Sequence, residues 1–97
     1  MATYIALINY TEQGIANVKE SPKRLDAAKN LAASLGGEIT QFFLTMGAYD
    51  AVAVAEFPDD AAAAKFLLTL GSTGNIRTTT LRAFPEAEYQ DIVAALP

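Results

Sequence analysis

Two segments of this chain, Thr3–Tyr10 (TYIALINY) and Ala51–Phe57 (AVAVAEF), carry apolar side chains on both of their alternating sets. Both are rich in β-branched or small apolar residues, and each reads as a strand that must be covered on two faces. Such strands belong at the centre of a sheet. Two further segments, Glu38–Met46 (EITQFFLTM) and Ile76–Phe84 (IRTTTLRAF), mix apolar residues with Thr, Gln and Arg and suit its edges. Helices separate them. Ser21-Pro22-Lys23-Arg24 opens the first, with Ser as N-cap and Pro at the first helical position; Leu25, Ala28, Leu31, Ala32 and Leu35 follow at helical spacing until Gly36-Gly37. Asp59-Asp60 opens a second, Ala-rich helix running to about Leu70, and Pro85-Glu86 begins a third that runs through Leu96.

The resulting order, βαββαβα, predicts an α+β fold: a ferredoxin-like sandwich whose four-stranded antiparallel sheet has the order 4-1-3-2 and carries its helices on one face. Residues 1–97 form a single domain, because a chain this short builds only one core. The helices cover one face, yet the central strands are apolar on both, so a second copy of the chain is the simplest cover for the other. A homodimer with two sheets face to face, a dimeric α/β-barrel-like assembly, is therefore expected. Alanine supplies 19 of the 97 residues, which predicts a thin, closely spaced core without large cavities inside one subunit.

Cysteine, histidine and tryptophan are absent, which removes disulfides, thiolate or imidazole metal sites, and nucleophilic chemistry built on either residue. No cofactor is expected, and a metal would have to be held by carboxylates alone. Asp59-Asp60 and Glu86/Glu88 read better as helix-start acids. A net charge of −4 opposes nucleic acid as a partner. No apolar run is long enough for a membrane span, and Met1–Tyr10 lacks the pattern of a secretory leader, so a cytoplasmic protein is expected.

In the predicted topology four connections meet at one end of the sheet: the link Thr11–Ser21, the helix opening Ser21–Arg24, the hairpin Gly47–Asp50, and the turn Gly71–Asn75 leading to Arg77. Lys19, Lys23, Arg24, Asn75 and Arg77 gather there as candidate ligand-binding residues. Lys23 and Arg24 beside a helix N-terminus suit a carboxylate or phosphate, and equally suit solvated charges or internal salt bridges. Tyr49 and Asp50 are the candidate catalytic pair, and ligand-binding candidates as well: a partly buried carboxylate for proton transfer beside a phenol that orients a substrate oxygen. The same two residues suit a hairpin cap and a dimer seam. The turn Gly71-Ser72-Thr73-Gly74-Asn75 lacks the spacing of a P-loop.

Together, Thr11-Glu12-Gln13-Gly14-Ile15 with Asn17-Val18-Lys19 and Ser21–Arg24, then Thr45-Met46-Gly47-Ala48-Tyr49-Asp50, then Gly71–Phe84, resemble the small bacterial GYD-domain family. The Gly-Tyr-Asp element for which the family is named reads here with Ala48 between glycine and tyrosine. The resemblance spans nearly the whole chain and implies a ferredoxin-like, oligomeric protein rather than a particular reaction. Three functions are compatible with these residues. The first is a homo-oligomeric module that binds a small anionic metabolite without catalysis. The second is a cofactor-independent isomerase- or monooxygenase-like enzyme using Asp50 and Tyr49, and the third is an assembly or partner-binding protein.

Overall fold

The two segments that are apolar on both faces lie side by side in the middle of one sheet. A computed structural model describes all 97 residues. In it β1 (Ala2–Tyr10) pairs antiparallel with β3 (Ala51–Phe57) on one side and with β4 (Ile76–Ala83) on the other, while β2 (Glu38–Leu44) forms the far edge beside β3. The order β2-β3-β1-β4, read from the other edge, is the expected 4-1-3-2. Helices α2 (Ser21–Ser34) and α3 (Asp60–Ser72) cover one face. β3 shows why: Ala51, Ala53, Ala55 and Phe57 are buried beneath the helices, whereas the intervening Val52, Val54 and Glu56 are only half-buried.

Several boundaries differ from the sequence reading. The link Thr11–Ser21 is not an open loop but a short helix, α1 (Glu12–Ala16), followed by a 3₁₀ turn at Val18–Glu20. Thr11 causes it: its hydroxyl accepts a hydrogen bond from the Gly14 amide at 3.0 Å, an N-cap that satisfies an otherwise orphaned donor. Ser21 is consequently the first helical residue of α2 rather than its cap, and Glu20 before it makes no capping bond through its side chain. α3 runs through Gly71 to Ser72, and the chain turns only at Gly74, whose φ is +81°. β2 ends at Leu44, two residues short of Met46, and the Thr45 amide donates to the Asp50 carbonyl as the next pair of the hairpin. The other end of α2 is as expected: Gly36 has φ +77°, with Gly37 N–H bonding Ala32 C=O and Gly36 N–H bonding Ala33 C=O.

The packed core occupies one end of the helix–sheet interface. Tyr4, Phe57 and Phe66 stack there, with ring centroids 6.1 Å apart for the first pair and 5.0 Å for the second, against Ala28, Ala32, Ala55 and Ala63. The Tyr4 hydroxyl donates to the Asp60 carboxylate at the start of α3. Toward the other end the sheet is lined by Ala6, Ala51 and Ala53, and a pocket of about 510 Å³ lies between it and the helices. The pocket is partly open to solvent, a groove beside the packed core rather than a void within it. The aromatic wedge sets the spacing between layers, and Ala6, Ala51 and Ala53 are too short to fill it farther along.

Two apolar surfaces are left without cover. On the face away from α2 and α3, register places Ile5 opposite Val54 and Leu81, and Leu7 and Phe43 opposite Val52. Beyond β4, α4 (Glu86–Ala94) buries none of its residues. Its Tyr89, Ile92 and Val93, with Leu96 just after it, recur at one-face spacing and are all exposed. The chain has principal extents of 51 × 31 × 18 Å.

Candidate functional site

The connections at the Tyr10 end of the sheet are welded into one unit by α1. Thr11 N–H donates to the Asn75 carbonyl at 3.1 Å, and the Thr11 hydroxyl donates to the Gly74 carbonyl at 2.6 Å. The Gln13 side-chain amide donates to Thr73 C=O at 3.2 Å and to Asn75 Oδ1 at 3.0 Å. Gly14 lies so close to the same loop that a Cβ there would stand 1.9 Å from the Asn75 carbonyl oxygen. From the other side, Arg24 at the start of α2 donates to Asn17 C=O at 3.0 Å and Gly14 C=O at 3.3 Å, the carbonyls that close α1. Arg24 and Asn75, far apart in sequence, thus hold opposite ends of one five-residue helix.

The remaining candidates are placed differently. Lys23 is exposed and pairs with Glu20 at 3.6 Å, a surface ion pair of small energetic weight. Lys19 is exposed in the 3₁₀ turn. Arg77 is exposed on β4 opposite Asn9, one position out of phase with the cavity-lining Ile76 and Thr78, so it occupies the sheet face away from Arg24. Asp50 is half-buried, and its carboxylate accepts from the Tyr10 amide at 2.9 Å while its own amide donates to Ile8 C=O at 2.8 Å. It thereby ties the hairpin to the end of β1. Tyr49 is half-buried beside it, its carbonyl accepting from the Thr45 hydroxyl at 2.7 Å. Neither Tyr49 nor Asp50 lines the cavity.

That cavity reaches from the aromatic core to the welded connections. Its walls are mostly aliphatic, with Ala6, Ile8 and Ala53 on the sheet facing Leu25, Leu67 and Leu70 on the helices. Polar groups concentrate where it meets the motif end, at Tyr10, Ser21, Arg24, Thr73 and Asn75. Of its 27 lining residues Arg24 alone carries a formal charge, and no carboxylate is among them. Sequence reasoning singled out the rim and missed the chamber behind it. The available signal was the alternation of alanines at 51, 53 and 55, with Ala6 paired to Ala53 across the strands.

A relative from Thermus thermophilus, the glutamine synthetase and cystathionine beta-lyase binding protein, is 33% identical over 97 residues, covering 99% of each chain. The crystal structure of TTHA0845 from Thermus thermophilus is similar in fold, with a TM-score of 0.54 and 26% identity over 87% of this chain and 94% of that one. The GYD domain model matches residues 4–93, from the first buried tyrosine of β1 to the last turn of α4. That match takes in the welded connections, the cavity, the open sheet face and all but Leu96 of the α4 surface, and the chain belongs to the GYD domain family.

Proposed function

We propose that this chain is a cytoplasmic, homo-oligomeric module that binds a small anionic molecule at the motif-bearing end without transforming it. The observation that carries this reading is the 510 Å³ cavity ending at Arg24 and Asn75. Ligand pockets fall in the range of about 300–1,000 Å³ and combine apolar walls with a few convergent polar groups. Lys19 and Lys23 add positive charge near the start of α2, and Arg77 and Tyr49 stand at the same end of the sheet. The isomerase- or monooxygenase-like alternative needs Asp50 to meet a substrate. Its carboxylate is instead engaged with the Tyr10 amide and lines no part of the cavity.

Self-association has its own support. The chain exposes 6378 Å², whereas a folded monomer of its 10.3 kDa mass exposes about 5,350 Å². The excess of about 1,000 Å² is comparable to the roughly 800 Å² per partner buried in a standard interface. Pairing the open sheet faces of two copies covers Ile5, Leu7, Val54 and Leu81 and leaves the cavity, on the other side of the sheet, untouched.

A second reading is favoured by the relative named for binding two enzymes: the same uncovered surfaces take a protein partner. Native mass spectrometry of the protein purified from its host separates the two. An oligomer carrying a small bound mass that disappears in Arg24→Ala supports the first reading, and a stoichiometric second polypeptide supports the other. A ligand-free monomer that also gives no heat with carboxylates or phosphates overturns the first.

A further inference from the structure

The binding-module reading leaves the ligand's chemistry open, and the inference that follows rests on that reading. We propose that the cavity between α2, α3 and the sheet takes a monocarboxylate with an extended apolar body, its carboxylate held by Arg24 and its body lying over the alanines of β1 and β3. Three observations lead there. The walls along most of the chamber are hydrocarbon, with the threonines Thr69, Thr78 and Thr80 the exceptions, so a compact polar metabolite would lose most of its hydration without replacement. Burial of an apolar body is favourable in proportion to its area, at about 25 cal/mol per Å².

Charge selects the head group. Arg24 is the one ionic liner, and no acid in the cavity neutralises it. Two of its N–H groups are spent on the Asn17 and Gly14 carbonyls. A guanidinium has five donors in a planar fork, so others remain for a carboxylate. The bonds to α1 also fix the fork in advance, which reduces the ordering cost of binding. With one positive charge in the chamber, a single negative charge is matched, and a second would be left uncompensated among apolar walls.

The test is isothermal titration calorimetry of the full chain with four probes, the long-chain ones below any micellar concentration: decanoate, decan-1-ol, acetate and inorganic phosphate. Decanoate is expected to bind once per chain with a negative heat-capacity change. Decan-1-ol, body without charge, is expected at least tenfold weaker, and acetate, charge without body, gives no measurable heat. In Arg24→Met the decanoate preference disappears while decan-1-ol binds as before, which also shows that the cavity has survived the substitution; Arg24→Lys regains part of the preference. Ala53→Phe, which fills the chamber, abolishes binding of both long probes. Equal affinity for decanoate and decan-1-ol in the unaltered chain overturns the head-group assignment, and decanoate binding that persists in Ala53→Phe overturns the location. If inorganic phosphate or acetate binds as tightly as decanoate, the ligand class fails and the module reading stands. If none of these probes binds, both fail.

Discussion

Gly14 is the residue on which the weld depends most directly. A methyl group placed 1.9 Å from the Asn75 carbonyl oxygen meets backbone rather than a yielding side chain, so α1 must lift away from the α3–β4 turn. Gly14→Ala is expected to cost at least about 2 kcal/mol, read from urea denaturation. Asp50 is expected to behave as a structural acceptor: Asp50→Ala leaves the Tyr10 amide unpaired and costs about 1–3 kcal/mol, while Asp50→Asn, which keeps an acceptor oxygen, recovers most of it. A pH-dependent contribution comes from Tyr4, whose hydrogen bond to the Asp60 carboxylate, with burial second, raises the phenol above its ordinary value of 10.0. The unfolded phenol ionises first. This contribution is therefore complete below about pH 10 and declines above it, by up to about 1.4 kcal/mol per pH unit until the folded phenol also ionises. Tyr4→Phe should lack that component when the two proteins are compared in urea at increasing alkaline pH. At this scale the sequence was only partly legible. Arg24 and Asn75 were visible as polar residues in connections, but their joint attachment to α1 depends on a helix capped by Thr11, which propensity over five residues is too short to announce.

Among the elements, α4 is the one whose removal should matter least to the fold. It buries no residue, and an isolated helix of nine residues is marginal in water. Deleting residues 85–97 is expected to leave the far-ultraviolet spectrum of the sheet and the dilute-solution unfolding midpoint nearly unchanged, while the oligomer mass in sedimentation falls. A midpoint that collapses at low concentration would show that the arm supports its own subunit. The strands were the most legible elements, because central and edge positions differ in how many faces need cover: AVAVAEF alternates between buried alanines and half-exposed valines as a central strand must. β2 was less so. Its register shifts between Ile39 and Gln41, and the extra residue at Thr40, a bulge on an edge strand, leaves no mark in the apolar pattern. Such a bulge also makes the edge a poorer template for unwanted pairing.

At the scale of the molecule, the proposed function divides two roles between the faces of the sheet: self-association on one, a ligand chamber on the other. Leu81→Asp on the edge strand of the open face, opposite Ile5, is expected to convert the proposed oligomer to monomer by light scattering without altering probe binding in the chamber. That the face away from the helices is apolar was legible, because both residue sets of β1 and β3 are apolar. The chamber was signalled only by the alternating alanines of β3, which say how small the side chains are and nothing of what props the layers apart. The pairing of β1 has a further consequence in time. Both of its neighbours are made late: Ile8 meets Ala51, and Thr3 meets Ala83, the last residue of β4. At a synthesis rate of about 5–20 residues per second, Thr3 waits between about 4 and 16 seconds for the residue it pairs with. Ile5 and Leu7 have no sheet partner until Val54 and Val52 of β3 are made, and their second neighbours on β4 come later still, so the first strand is the segment a nascent-chain chaperone would meet.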